Sequence, residues 1–140
     1  MDTLELRYQV PGDDFSRAGE ASSSVKRTLK ELGFPPALVR RVAIAMYEAE
    51  INMVIHAEGG EVTAQITPQQ FDIEFADVGP GIPDIDLAMQ EGYSTASADV
   101  RDLGFGAGMG LPNMKKYADD MQISSVLGVG TTVLLQFQVV

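Results

Sequence analysis

Two places where apolar residues fall on every second position, each folded back on a further run of the same kind, limit this chain more than any other feature. Val62, Ala64 and Ile66 alternate with polar neighbours, Thr67-Pro68-Gln69-Gln70 offers a turn, and Phe71, Ile73 and Phe75 resume the alternation. A period of two puts one face of each strand on a core and the other in water, so the pair predicts an antiparallel hairpin. The pattern returns near the C-terminus. A strand from Met121, a Gly128-Val129-Gly130 turn and a last strand carrying Val133, Leu135, Phe137 and Val139 predict a second hairpin. Leu4, Leu6, Tyr8 and Val10 give one more strand, closed by Pro11-Gly12.

Between the strands the period lengthens. Phe15, Ala18, Ser22, Val25, Leu29 and Leu32 recur at three- and four-residue steps until Gly33, which predicts an amphipathic helix stopped by glycine. After Pro35-Pro36 a second helix runs from Ala37 to about Ala57. Its apolar stripe is Leu38, Val42, Ala45, Met46, Ala49 and Met53, with Glu48, Asn52 and His56 on a neighbouring row. A short helical stretch is expected near Asp84 to Gln90 and a further helix from Gly110 to about Asp120. From Glu91 to Gly108 no period is sustained, and a loop that long within a compact domain reads as a lid.

The resulting order, β-α-α-β-β, lid, α-β-β, does not alternate helix with strand. It therefore favours an α+β fold: a two-layer α/β sandwich with a mixed, mostly antiparallel sheet and helices on one face. At 140 residues, 45% of them hydrophobic, the chain reads as a single domain spanning residues 1–140. Its 10 Lys and Arg against 20 Asp and Glu argue against nucleic acid or an anionic membrane as the main partner. With no cysteine, disulfides, thiolate metal sites and cysteine nucleophiles are excluded. Neither a secretion signal nor a membrane span is visible at the N-terminus, and a cytoplasmic location is expected.

Chemistry concentrates in a few segments. Asp77 continues the parity of Phe71, Ile73 and Phe75, so it sits toward the helices, where a carboxylate needs donors such as the amino group of adenine. Asp77-Val78-Gly79-Pro80-Gly81 would also make a good turn with no ligand at all. Glu48 and Asn52 share a helix face and can reach one ligand, the first as a general base, the second as a hard oxygen ligand for Mg²⁺. The plain alternative is an amphipathic rim in which Glu48, Glu50 and Glu58 are solvated. Gly104 to Gly110 can bring backbone N–H groups and a helix N-terminus to phosphates, although it matches neither a Walker loop nor the Rossmann fingerprint. Thr131 points to the core face and needs a partner for its hydroxyl.

Taken in order, Glu48-x-x-x-Asn52, Asp77-x-Gly79-x-Gly81, Gly106-x-Gly108-x-Gly110-Leu111 and Gly130-Thr131 resemble the N, G1 and G2 boxes and terminal Gly-Thr of the GHKL, or Bergerat-fold, ATPases. The resemblance spans about Ala37 to Phe137. The chain's length favours the small bacterial anti-sigma factor and serine/threonine switch-kinase family over the histidine kinase, gyrase, Hsp90 and MutL branches. The stretches 48–57, 83–86, 91–95 and 108–117 look most like the switch kinases that phosphorylate STAS-domain antagonists.

The resemblance implies a histidine kinase-like ATPase domain that takes ATP and Mg²⁺ as cofactors. In it Glu48 is the catalytic base on a serine or threonine hydroxyl and Asn52 is the metal ligand. Asp77 binds the adenine amino group, Gly79 and Gly81 let the base approach, Thr131 assists through water, and Gly106, Gly108, Gly110 and Leu111 border the phosphates. The partners it implies are a STAS-domain antagonist, a sigma factor or both, and a homodimer stays open. A second implied reading is a nucleotide-gated binding protein with little turnover, in keeping with Tyr93, Leu103, Phe105 and Met109 around the lid. The chain departs from the family pattern in two respects. Glu50 adds a second acid inside the N box, and no basic residue adjoins Gly106 to Gly110, which leaves Arg101 and Lys115 as candidates to neutralise phosphate. His56 reads as structural.

Overall fold

A computed structural model describes residues 3–12, 17–56, 59–79 and 110–139. Their elements in chain order are β1 (Leu4–Pro11), α1 (Glu20–Glu31), α2 (Pro36–His56), β2 (Gly59–Ile66), β3 (Gln70–Asp77), α3 (Gly110–Tyr117), β4 (Asp120–Val126) and β5 (Gly130–Gln138). This is the order that the periodicities predict. The helical stretch expected near Asp84 to Gln90 and the lid lie outside the described residues.

The strands form one five-stranded sheet in the order β1-β2-β3-β5-β4. Both hairpins are present, and every pairing among the described residues is antiparallel. Because β5 returns between β3 and β4, the second hairpin is added to the first with its last strand inward. The register carries apolar rows across the whole sheet: Leu6, Ala64, Ile73, Leu135 and Met121 stand opposite one another in turn. Phe71, Phe75 and Phe137 on the same face are fully buried, each side chain worth about 1.5–3 kcal/mol on transfer from water. The other face carries Glu5, Arg7, Glu61, Asp72, Glu74 and Gln136, as the period of two requires.

The helices cover the apolar face, with α2 between α1 and α3. That position explains why Val39, Ile51 and Val54 are buried as well as the expected stripe of Leu38, Val42, Ala45, Met46, Ala49 and Met53. A helix packed on the sheet and on both flanks has little surface left for water. Leu32 departs from the expected stripe of α1. The helix ends at Glu31, Gly33 turns the chain at φ 84°, and Leu32 is left 55% exposed. Phe34 then packs edge-on against Phe71, with ring centroids 4.8 Å apart, and leads into the prolines that open α2. No helix among the described residues is long and apolar enough to cross a membrane.

One expected surface group lies in the interior. Glu50 is not on a solvated rim but is 1% exposed, on the flank of α2 that meets α1. Its carboxylate accepts hydrogen bonds from the backbone N–H groups of Gly19 at 2.9 Å, Ala21 at 3.2 Å and Ser22 at 2.9 Å. Those are the free donors of the first turn of α1, whose own N-cap, Gly19, has no side chain to supply. The buried charge is met by three dipoles and the positive end of a helix. The same residue fixes α1 against α2.

Candidate functional site

The flank of α2 opposite Glu50 faces α3. Arg41 Nε donates to the carbonyl of Tyr117 at 3.1 Å, and its Nη2 donates to Asp119 Oδ1 at 2.9 Å. Two turns further along α2, Glu48 Oε1 accepts from Asn113 Nδ2 at 3.4 Å. Since Arg41 meets the end of α3 and Glu48 its middle, the helices run antiparallel. One more turn carries α2 on to Asn52, in the direction of the start of α3, where the first N–H groups and the positive end of that helix lie. Asn52 is half-buried, and its carboxamide has no hydrogen-bond partner among the described residues.

Asp77 ends β3 at the same end of the sandwich. Its Oδ1 accepts the backbone N–H of Thr131 at 2.8 Å, which leaves Oδ2 without a partner among the described residues. Burial pushes the Asp77 carboxyl above its ordinary value of 3.8, and the Thr131 N–H opposes that shift only in part. Glycines let the neighbouring strands close on it. A Cβ at Gly130 would stand 2.2 Å from the Asp77 carbonyl oxygen, and one at Gly60 would stand 2.7 Å from both Asp77 Cα and Met53 Cε. The last distance puts the Met53 side chain of α2 against Gly60 at the start of β2, which pairs with Asp77. Beyond Asp77, Gly79 N–H bonds to Val129 O at 3.1 Å, and the buried Thr131 hydroxyl shares a hydrogen bond with Ser125 at 3.1 Å.

The structure thus joins Asp77 to Thr131, sets Gly79 just beyond the end of β3, and puts Glu48 and Asn52 on α2, whose flank meets α3, the helix that Gly110 and Leu111 begin. Gly81, Gly106 and Gly108 lie outside the described residues, as do Arg101 and the lid-flanking apolar side chains. Lys115 lies in the last turn of α3, away from the end opened by Gly110. Two contacts were not anticipated from sequence: the Asn113 donor on Glu48 and the burial of Glu50. A signal for the second exists, since Arg17-Ala18-Gly19 offers no Ser, Thr, Asp or Asn to cap the helix that follows. Nothing comparable marks Asn113.

The donors at this end fit a nucleotide with Mg²⁺. The Asp77 oxygen without a described partner can accept an amino group, and the N–H groups at the start of α3 can donate to phosphate oxygens. Among the described residues there is no cluster of three His, Cys, Asp or Glu that could hold a metal. A lone Asn52 oxygen would suit an ion that takes its remaining ligands from phosphate and water.

Fold and site together define an α+β sandwich of the ATPase type, with its polar end built from α2, α3 and the end of β3. The chain belongs to the histidine kinase-like ATPase domain family, whose sequence model matches residues 13–137. It is 33% identical over 112 residues to the serine/threonine-protein kinase RsbT of Bacillus subtilis, covering 77% of this chain and 78% of that one. It is 31% identical over 142 aligned positions to the anti-sigma F factor of Clostridium acetobutylicum, covering 95% of this chain and 91% of that one. Among solved structures, that of the RsbU and RsbW domains of a Mycobacterium tuberculosis protein superimposes with a TM-score of 0.63 at 15% identity, a likeness of fold alone. The alignment covers 99% of this chain and 32% of that chain.

Proposed function

We propose that this protein is a serine/threonine protein kinase of the switch-kinase type, moving the γ-phosphoryl group of Mg-ATP to a serine or threonine of a STAS-domain regulator. The observation that carries the reading is Glu48, half-buried on the flank of α2, with one carboxylate oxygen held by Asn113 and the other without a partner among the described residues. The similarity to a protein named as a serine/threonine kinase supports it. ATP and a STAS partner set the reaction in the cytoplasm.

Asp77 accepts the adenine amino group and so selects the base. Gly60 and Gly130 keep that acceptor at the sheet end, and Thr131 fixes its orientation. Gly79, with Gly81, Gly106 and Gly108, borders the nucleotide, and the N-terminus of α3 at Gly110 and Leu111 receives phosphate oxygens. Asn52 would hold Mg²⁺, which when bound would supply charge neutralisation on the phosphates. Glu48 takes the proton of the substrate hydroxyl as its oxygen bonds to phosphorus. The bond from the γ-phosphorus to the bridging oxygen breaks, and ADP leaves with that electron pair. Positioning does most of the work in such a transfer. Labelled Mg-ATP should label a STAS-domain protein, and Glu48→Ala should still bind ATP yet fail to transfer; equal transfer by that variant would refute the assignment of Glu48.

A second reading is a nucleotide-gated binder of a sigma factor with little turnover, which the similarity to an anti-sigma F factor along nearly the whole chain supports. Pull-down of sigma factors with and without ATP separates the two. A binder is indifferent to Glu48→Ala, whereas a kinase is not.

A further inference from the structure

Glu48 sits on a two-methylene stem with several rotamers, so a base at this position needs something to choose one of them. The group that meets it is the Asn113 carboxamide, on the adjoining helix, donating Nδ2 to Oε1 at 3.4 Å. A long contact of this kind can tighten when the reacting groups are assembled. Asn113 is the only described hydrogen-bond partner of that carboxylate. With Oε1 fixed and Oε2 without a partner among the described residues, the contact sets the direction from which a hydroxyl can be deprotonated.

Docking of α3 does not require this contact. Met114 is fully buried in the core, and Arg41 holds the other end of the helix through the Tyr117 carbonyl. Asn113 itself is half-buried and adds no apolar area comparable with Met114.

We propose that Asn113 is a positioning residue for phosphoryl transfer, holding one oxygen of Glu48 so that the other faces the substrate hydroxyl. This rests on the reading of Glu48 as the base. The test uses Asn113→Asp, which keeps shape but turns the donor into an acceptor, beside Asn113→Ala, Glu48→Gln and the double variant Glu48→Gln/Asn113→Asp. Transfer of labelled phosphate from Mg-ATP to a serine-bearing STAS-domain protein is measured with the ATP dissociation constant, and the Asn113 side-chain amide is followed by ¹H–¹⁵N spectroscopy.

Asn113→Ala should slow transfer by about tenfold, and Asn113→Asp at least as much, with ATP affinity and the KM for the STAS protein nearly unchanged. In the Glu48→Gln background, Asn113→Asp should change the rate by less than about twofold, because the residue acts only through Glu48. The Asn113 amide resonances should move in Glu48→Gln. A packing role would be preserved by the isosteric Asp, so wild-type transfer by Asn113→Asp overturns the proposal, as do unmoved resonances or additive losses in the double variant. Full transfer by Glu48→Gln, or none by the wild type, overturns the reading of Glu48 and the proposal with it.

Discussion

Replacing Glu50 by glutamine tests how much of this fold depends on one buried carboxylate. Glu50 Oε2 accepts from Gly19 and Ala21 and Oε1 accepts from Ser22, all within 3.2 Å, in a site 1% exposed. A glutamine of the same size can keep its oxygen toward Gly19 and Ala21, but its NH₂ group then faces the Ser22 N–H, donor against donor. The substitution loses one charge-assisted bond, worth about 1.5–3 kcal/mol, and strands a buried N–H at a further cost of about 1–3 kcal/mol. Against this, removing the charge relieves its desolvation, though the N-terminus of α1 already answers it with the equivalent of roughly half a positive charge. The net expectation is about 2–3 kcal/mol for Glu50→Gln and about 3–5 kcal/mol for Glu50→Ala, which leaves all three donors unmet. On a domain of this size Glu50→Gln should lower Tm by roughly 5–10 °C. Urea and thermal unfolding followed by far-UV circular dichroism read the difference, with Glu48→Gln as the neighbouring control. A Glu50→Gln variant within about 0.5 kcal/mol of wild type, the range of an ordinary surface substitution, would refute the capping argument.

Gly130→Ala should cost stability and ATP affinity together, because its Cβ would stand 2.2 Å from the Asp77 carbonyl oxygen and displace the strand end; an unaltered melting curve and titration would contradict this. Asp77→Asn should lose ATP affinity while gaining stability relative to wild type as pH rises. The raised folded pKa of Asp77 means that the stabilising contribution of its protonated form is fully present below 3.8 and is lost as pH climbs through the folded value; urea midpoints across the acidic range check the sign. Asp119 behaves oppositely: the Gln138 backbone N–H, then Arg41, hold it below 3.8, so its contribution is present above that value and is lost as pH falls through the folded one. Asp119→Asn should therefore flatten the acid limb slightly, the group being largely in water, and acid titration of both proteins measures it.

How the fold could be read from sequence follows from how local the cause is. The period-two runs at Val62 to Phe75 and Met121 to Val139 impose hairpins because pleating alone sends alternate side chains to opposite faces. Glu48 and Asn52 share a face because one helical turn sets them there. Asp77 follows Phe75 into the interior by parity alone, and its partial burial beside Thr131 is the consequence.

What the sequence did not determine is held by contacts between distant segments. Gly19 and Glu50 are separated by most of two helices, and Glu48 and Asn113 by two strands and more. No local period specifies that α2 lies between α1 and α3, so the sequence marked Glu50 only as a second acid inside the N box and gave Asn113 no role. Burial on both flanks of α2 decided both. The chain's own pattern of strands, helices and boxes carried its resemblance to the family, while tertiary packing determined which acid caps α1 and which meets Asn113 on α3.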